Sequence, residues 1–384
     1  MTGHREGSGD GRARLAVRRL TLSDFRCYGA LRVDVDARPV VLTGPNGAGK
    51  TNLLEALSFL TPGRGLRRAT ISEVARHGAG AGAPWAVAAV VDGPAGRVEI
   101  GTGREGGAER RSVRIDGAPA KPGDLGRLVS ALWLTPAMDR IFIEGASGRR
   151  RFLDRLVFGV DAGHAAQAAA YEHAMRERTR LLKAGGADGA WLAALEDGMA
   201  RHGTAMAAAR IKAVARLDEA CRQGLGPFPA ARLEVVGEVE GWLVDAPPPE
   251  AEERLRGALR LARARDEAAG AATMGPHRTD LSVRHAGKDM PAGQCSTGEQ
   301  KAVLVAIVLA QARVQAASRG VAPLMLLDEV VAHLDATRRA ALFDELCALD
   351  AQSWMTGTDG QLFDGFGERA QFFRVAEASV APGI

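Results

Sequence analysis

Apolar and polar residues alternate through "LRVDVD" (31–36), the period of a half-buried strand, and give way to the unbroken apolar run "VVLT" (40–43). A continuous run that feeds a glycine-rich turn predicts a strand buried on both faces. Helical spacing begins in "NLLEALSFL" (52–60), so the first ordered unit, which opens with "LAVRRLTL" at Leu15, ends as strand, glycine loop, helix. Between about 85 and 116, "WAVAAVV", "RVEI" and "SVRID" are separated by Gly and Pro, which predicts an antiparallel strand set beside that loop. From about 165 to 224 the texture is Ala, Arg, Glu and Leu, broken only at "AGGADG", as in a helical hairpin or bundle. "DAPPPE" (245–250) turns into another charged helix ending near 269, and "MGPHRTDLSVRHAG" (274–287) returns to turn and strand chemistry. "CSTGEQKAVLVAIVLAQARV" (295–314) is apolar nearly all round and predicts a buried helix. No repeat of 20 to 50 residues is apparent.

Composition narrows the class. The chain has 384 residues, 46% hydrophobic and 25% charged, enough for a soluble globular protein of about two domains. Residues 1–14 lack apolar periodicity and read as a disordered leader. No apolar stretch long enough to span a bilayer and no secretory signal are apparent, so a cytoplasmic protein without a membrane partner is expected. Cys27, Cys221, Cys295 and Cys347 contain no C-x-x-C pair, which argues against zinc and against a disulfide framework. A net charge of +4 does not announce a nucleic-acid partner, but arginines cluster locally at 64–68, 110–111 and 149–155.

Chemistry concentrates in three places. "GPNGAGKT" (44–51) follows the buried strand and opens the helix, and Lys50 is one of only six lysines. A compact ammonium suits a triphosphate, and Gly44, Gly47 and Gly49 let backbone N–H groups approach it. "PLMLLDEV" (323–330) is a second buried strand, ending in Asp328 and Glu329, an acidic pair that is costly there unless a metal or charge meets it. Asp328 and the Thr51 hydroxyl are the candidate Mg²⁺ ligands, Lys50 the phosphate clamp, and Glu329 the base for the attacking water. Ser296-x-x-Glu299 is a capping box that opens the buried helix; with Gly298 it also forms an anion site with no evident occupant in its own subunit.

"GPNGAGKT", then "STGEQ" ahead of "LLDEVVAHLD", is similar to ABC-type ATPases, whose core transporter subunits share. "LTLSDFRCYGALRVDVDARPVVLTGPNGAGKTNLLEALSFL", "GRRRFLDRLV", "MGPHRTDL" and "STGEQKAVLVAIVLAQA" together resemble the RecF family of SMC-related DNA-repair ATPases, from about Leu15 to Phe373. The resemblance implies an α/β fold: an ABC-type ATPase head, with a phosphate-loop core sheet and an antiparallel β subdomain, in residues 15–150 and 270–384. An α-helical lobe is inserted at 151–269.

It also implies ATP and Mg²⁺ as ligands. Gly44, Pro45, Asn46, Gly47, Ala48, Gly49, Lys50, Thr51 and Asn52 would form the loop. Ser296, Gly298, Glu299 and Asp335 would complete the nucleotide site of a partner copy, with Lys50, Ser296 and Glu329 catalytic. Asp335 is equally a helix N-cap. The implied partners are double-stranded DNA and single/double-strand junctions, RecR and RecO, and RecA indirectly, with slow hydrolysis and an ATP-dependent homodimer. Arg67, Arg68, Arg149 and Arg150 are the expected DNA contacts.

Two features depart from the ABC pattern. "SWMTGTDG" (353–360) offers Thr356 and Thr358 where many members place a histidine, and "WLTPAMDRIF" (133–142) has no glutamine for the nucleotide-sensing loop. A transporter subunit does not account for "GPHR" or "RRRFLDR", and 151–269 is too short for an SMC arm. A scaffold using ATP only to hold a dimer together differs by not turning ATP over.

Overall fold

The structure, a computed structural model, describes residues 14–80, 82–185 and 188–383. The expected leader lies outside the described residues except for Arg14. In chain order come β1 (Ala16–Phe25), β2 (Tyr28–Asp34), β3 (Val40–Thr43) and α1 (Lys50–Ser58), then β4 (Trp85–Gly93), β5 (Gly96–Arg104), β6 (Ser112–Ile115) and β7 (Ala118–Ala120). A short α2 (Leu125–Leu128) leads to β8 (Ala131–Leu134). The lobe is built from α3 (Ala146–Phe158), α4 (His164–Ala184), α5 (Gly189–Arg222), β9 (Ala231–Val236), α6 (Glu238–Asp245), α7 (Pro248–Leu261) and α8 (Arg263–Ala269). The chain returns through β10 (Asp280–His285), β11 (Met290–Pro291), α9 (Thr297–Arg319), β12 (Leu324–Leu327), α10 (Ala336–Ala348), β13 (Ser353–Gly357), β14 (Gln371–Ala376) and β15 (Ser379–Pro382).

The central sheet has the order β15-β14-β3-β13-β12-β8 and is parallel except for β15. Its strands read as continuous apolar runs because both faces are covered. Val40, Leu42, Leu324, Leu326 and Trp354 point to one core, shared with α1 and the antiparallel sheet β2-β1-β4-β5-β6-β7. Val41, Met325, Leu327 and Met355 point to the other, shared with α9, α10 and the root of the lobe. One strand, β13, therefore lies between β3 and β12, the two strands that lead into the glycine loop and the acidic pair.

The 151–269 segment is not wholly helical. β9 pairs antiparallel with β10 through Leu233 and Val283, so a boundary at 269/270 cuts a three-stranded sheet. The charged helix after "DAPPPE" also divides at Ala262 into α7 and α8. The lobe core of Tyr171, Met199, Met206, Val239, Trp242 and Leu255 is joined by buried charge. Arg178, fully enclosed, donates to Glu196 at 3.0 Å, to Asp266 at 2.6 Å and to the Leu259 carbonyl at 2.7 Å. Removing one partner of such a set costs about 3–5 kcal/mol.

α9 corrects the expectation that no stretch reaches membrane length. It is 23 residues long and its most apolar window has a mean hydropathy of 1.3, enough to cross a bilayer by length and composition, yet 67% of that window is buried inside the protein. It is a core helix.

Candidate nucleotide-binding site

After β3 the chain turns through Gly44, Gly47 and Gly49 with φ of 146°, 80° and 110°, a region that disfavours side chains. Space adds a second restriction. A Cβ on Gly44 would collide with the Val375 carbonyl, and one on Gly49 would lie 2.6 Å from the Tyr28 hydroxyl. The α1 N-terminus has no side-chain cap, so its first N–H groups face the loop unpaired by any side chain. Lys50 is buried at the first turn and its Nζ donates to the carbonyls of Gly44 (2.7 Å) and Pro45 (2.9 Å). Burial pulls the Lys50 pKa down, while Glu329 and Asp328 oppose that shift.

The two predicted elements meet here. The Thr51 hydroxyl donates to Asp328 Oδ1 at 2.9 Å, and Asp328 is 6% exposed. A hydroxyl and a carboxylate on one point are hard oxygen donors that suit Mg²⁺. Among the described residues no group of three or more His, Cys, Asp or Glu could hold a metal, so phosphate and water oxygens must complete such a site. Of the other loop residues, Pro45 and Asn46 are exposed and Ala48 is buried. Asn52 is engaged by protein, accepting from Arg67 (2.7 Å) and donating to Cys27 Sγ (3.1 Å).

No hydrogen bond or ion pair joins Ser296, Gly298, Glu299 or Asp335 to the loop among the described residues. Ser296 caps α9, its hydroxyl oxygen accepting from the Glu299 N–H (3.4 Å), while its own N–H (3.0 Å) and hydroxyl (2.9 Å) face Glu299 Oε2. Lys288 and then Ser296 pull Glu299 down to about 2. Ser296, Thr297 and Gly298 are exposed, and nothing lies within 4 Å of a Cβ placed on Gly298. Asp335 caps α10 through the Arg338 N–H at 2.9 Å, with its side chain outside.

A model of the RecF/RecN/SMC N-terminal domain matches residues 16–375. The DNA replication and repair protein RecF of Mesorhizobium japonicum is 52% identical over 96% of this chain and 98% of that protein. The chain belongs to the RecF family. The Caulobacter vibrioides RecF is 51% identical over the same share of this chain. A solved structure titled "Structure of the recombination mediator protein RecF-ATP in RecFOR pathway" superposes with a TM-score of 0.83 over 97% of this chain and 100% of that one, at 20% identity. A solved SMC head bound to the winged-helix domain of ScpA gives 0.55 over 95% of each chain, at 16% identity. The fold is that of an SMC-type ATPase head.

Beside the loop of this RecF-family chain opens a cleft of about 680 Å³ whose wall includes Thr51 and Asp328. Arg68 lines it, and burial, Arg151 and Arg64 together lower its pKa. Arg155 lies against Trp133, its guanidinium 4.5 Å from the ring centroid, with some solvent contact and, among the described residues, no carboxylate partner; burial pulls it down to about 9. Arg67 is half exposed and leans on Asn52 and Glu55.

Arg149 is engaged within the protein. Its guanidinium makes a paired contact with Asp280, 2.8 Å on each arm, and is 17% exposed, so it braces α3 against β10 and is not a free surface contact. Arg150 donates to the Thr279 carbonyl at 2.9 Å. On α3 it is instead Arg151 and Arg155, one turn apart, that line the cleft. Helical spacing within "RRRFLDR" was the available signal. Arg111, from the 110–111 cluster, is half-buried and donates to the carbonyls of Phe59, Thr61 and Gly63, holding the loop that carries Arg64–Arg68.

The "WLTPAMDRIF" segment also gains an anchor. Lys301, one turn into α9, pairs with Asp139 at 2.7 Å and so ties the capped helix to "WLTPAMD" beside Asp328 and Glu329.

The "GPHR" turn is held from three sides, by Arg150, by Arg210 donating to the Pro276 carbonyl (2.6 Å), and by His277. His277 Nε2 lies 2.9 Å from the Ala272 carbonyl and therefore carries the proton, so Nδ1 accepts from the Tyr171 hydroxyl at 2.7 Å. Burial holds the His277 pKa below the ordinary ~6.5. Its contribution is complete above that unfolded value and is lost as pH falls toward the folded one. Thermal midpoints should therefore drop as pH falls below about 6.5, and His277→Gln should flatten that part of the profile.

Proposed function

We propose that the protein is an ATP-dependent DNA-binding protein of recombinational gap repair and replication restart. It closes as a homodimer on duplex DNA and at single/double-strand junctions, hydrolyses ATP slowly, and assists RecA loading together with RecO and RecR in the cytoplasm. The observation that carries the ATP part is the meeting of the uncapped α1 N-terminus, Lys50, Thr51, Asp328 and Glu329 beyond the ends of β3 and β12, the two strands that flank β13. The DNA and partner part is supported by family membership and by the arginine-lined cleft.

Backbone N–H groups of the loop and of α1 bind the phosphates, and Lys50 shifts from the Gly44 and Pro45 carbonyls onto the β/γ oxygens. Thr51 and Asp328 would hold Mg²⁺, which would supply positive charge beside the phosphate oxygens. Glu329 orients the attacking water and takes its proton. The α9 N-terminus of a second copy, with Ser296 and Gly298, donates to the γ-phosphate from the opposite side. Arg64, Arg67, Arg68 and Arg151 neutralise DNA phosphates without reading bases, which suits a protein that acts at any sequence.

Sedimentation of Glu329→Gln with ATP, with and without gapped DNA, tests this. The amide keeps the side chain's shape and removes the base, so the expected result is an ATP-dependent dimer that persists, sediments with gapped DNA and does not hydrolyse. In the same assay, changing Arg64, Arg68 and Arg151 to Ala should make the dependence of log affinity on log salt shallower by about one unit per true phosphate contact. An unchanged slope removes the cleft from the interface. Wild-type turnover by Glu329→Gln moves the base elsewhere.

A further inference from the structure

We infer that Thr356 is a positioning residue for hydrolysis, its single hydroxyl holding both members of the acidic pair. The inference rests on the ATPase reading and concerns one of the two threonines that stand where many ABC-type ATPases place a histidine.

The topology places it. β13 is bonded to β3 on one side, with Thr356 opposite Leu42, and to β12 on the other, with Met355 opposite Leu327. Thr356 therefore sits between the strand that feeds the phosphate loop and the strand that ends in Asp328 and Glu329, and it is 1% exposed. Its Oγ1 lies 2.7 Å from Asp328 Oδ1 and 3.0 Å from the Glu329 N–H. The roles are forced, because an ionised carboxylate only accepts and a backbone N–H only donates. The hydroxyl proton goes to Asp328, and the oxygen lone pair receives Glu329.

Glu329 needs that bond. Its φ is 55°, a left-handed backbone that a glutamate does not adopt by preference. The direction of its side chain follows from that backbone, so whatever pins the Glu329 N–H aims the carboxylate. Lys50 already feels that carboxylate as one of the two charges holding up its pKa. Thr51 donates to the same Asp328 oxygen, and so the hydroxyls of Thr51 on α1 and Thr356 on β13 fix the metal-side carboxylate from two elements. The β-branch of threonine restricts χ1 and keeps the hydroxyl on this line.

The plain alternative is a threonine that merely fills space, and the test separates the two. Thr356→Val keeps the shape and removes the hydroxyl; Thr356→Ser keeps the hydroxyl and removes a methyl. If the hydroxyl positions the pair, the Val variant binds ATP within about threefold of wild type and still dimerises with ATP, while its turnover falls on the order of 100-fold. The Ser variant turns over within about threefold of wild type. A packing role gives the reverse, with Val active and Ser impaired. The inference is overturned if Val hydrolyses ATP at the wild-type rate, if Val loses ATP binding as completely as turnover, or if Ser is as slow as Val. Should thermal melts show Val unfolded, Thr356→Cys, similar in size and a much weaker donor, takes its place in the comparison. Glu329→Gln separates the two levels: normal turnover there moves the base away from Glu329 and removes the assignment on which this inference rests, whereas a dead Glu329→Gln beside a normal Thr356→Val removes only this inference.

Discussion

Lys50→Met should abolish nucleotide binding. Two carbonyls, those of Gly44 and Pro45, now hold the Lys50 ammonium, and no other cation of the loop can place a point charge on the β/γ oxygens. At about a hundredfold excess over Kd, a ligand that binds only the folded state stabilises it by about 2.7 kcal/mol. Wild-type protein should show that increment with Mg-ATP as a rise in thermal midpoint, and Lys50→Met should show none. Without nucleotide, the variant should still fold and lose about 1.5–3 kcal/mol, the net worth of a hydrogen bond from a charged group. The two measurements together separate loss of the site from loss of the fold. Normal ATP-induced stabilisation in the variant would mean that residues 44–51 are not the phosphate loop.

Ser296→Arg should leave ATP binding by the monomer intact and remove both ATP-driven dimerisation and hydrolysis. Ser296, Thr297 and Gly298 are exposed, the space over Gly298 is open, and none of them bonds to the loop of its own chain. An arginine there adds bulk to the face offered to a second copy and breaks the capping box, which alone costs about 1 kcal/mol. Thermal melts with ATP should shift as in wild type, while sedimentation shows a monomer at every nucleotide concentration. Mixing Ser296→Arg with Lys50→Met subunits leaves one pairing of an intact loop with an intact signature, so partial recovery is the most that can return. Dimerisation and normal hydrolysis by Ser296→Arg alone would sink the composite-site reading.

The two predictions differ in what supplied them. The loop was legible because its chemistry is local: three glycines, a lysine and a threonine act within one turn, and their spacing specifies backbone geometry directly. Asp328 and Glu329 were legible because a carboxylate pair closing a four-residue apolar strand contradicts its surroundings unless something charged meets it. The capping box of α9 was legible too, since Ser296 and Glu299 are three residues apart. The arginines were not. "RRRFLDR" is a charge run whose members serve different ends, and only the packing of α3 decides that Arg149 faces Asp280 while Arg151 and Arg155 face the cleft.

The sequence by itself determined the doubly buried strands, the loop, the acidic pair and the helix cap, because each is written in the period or spacing of neighbouring residues. Tertiary structure alone decided the pairing of β9 with β10, which joins residues about fifty positions apart, and the insertion of β13 between β3 and β12. It alone decided that Thr356 meets both Asp328 and Glu329, that Lys301 meets Asp139, and that Glu329 takes a left-handed backbone. The physical reason is range. Periodicity reports which face of an element is buried, but hydrogen-bond partners distant in sequence are chosen by strand order and register, and no local pattern encodes those.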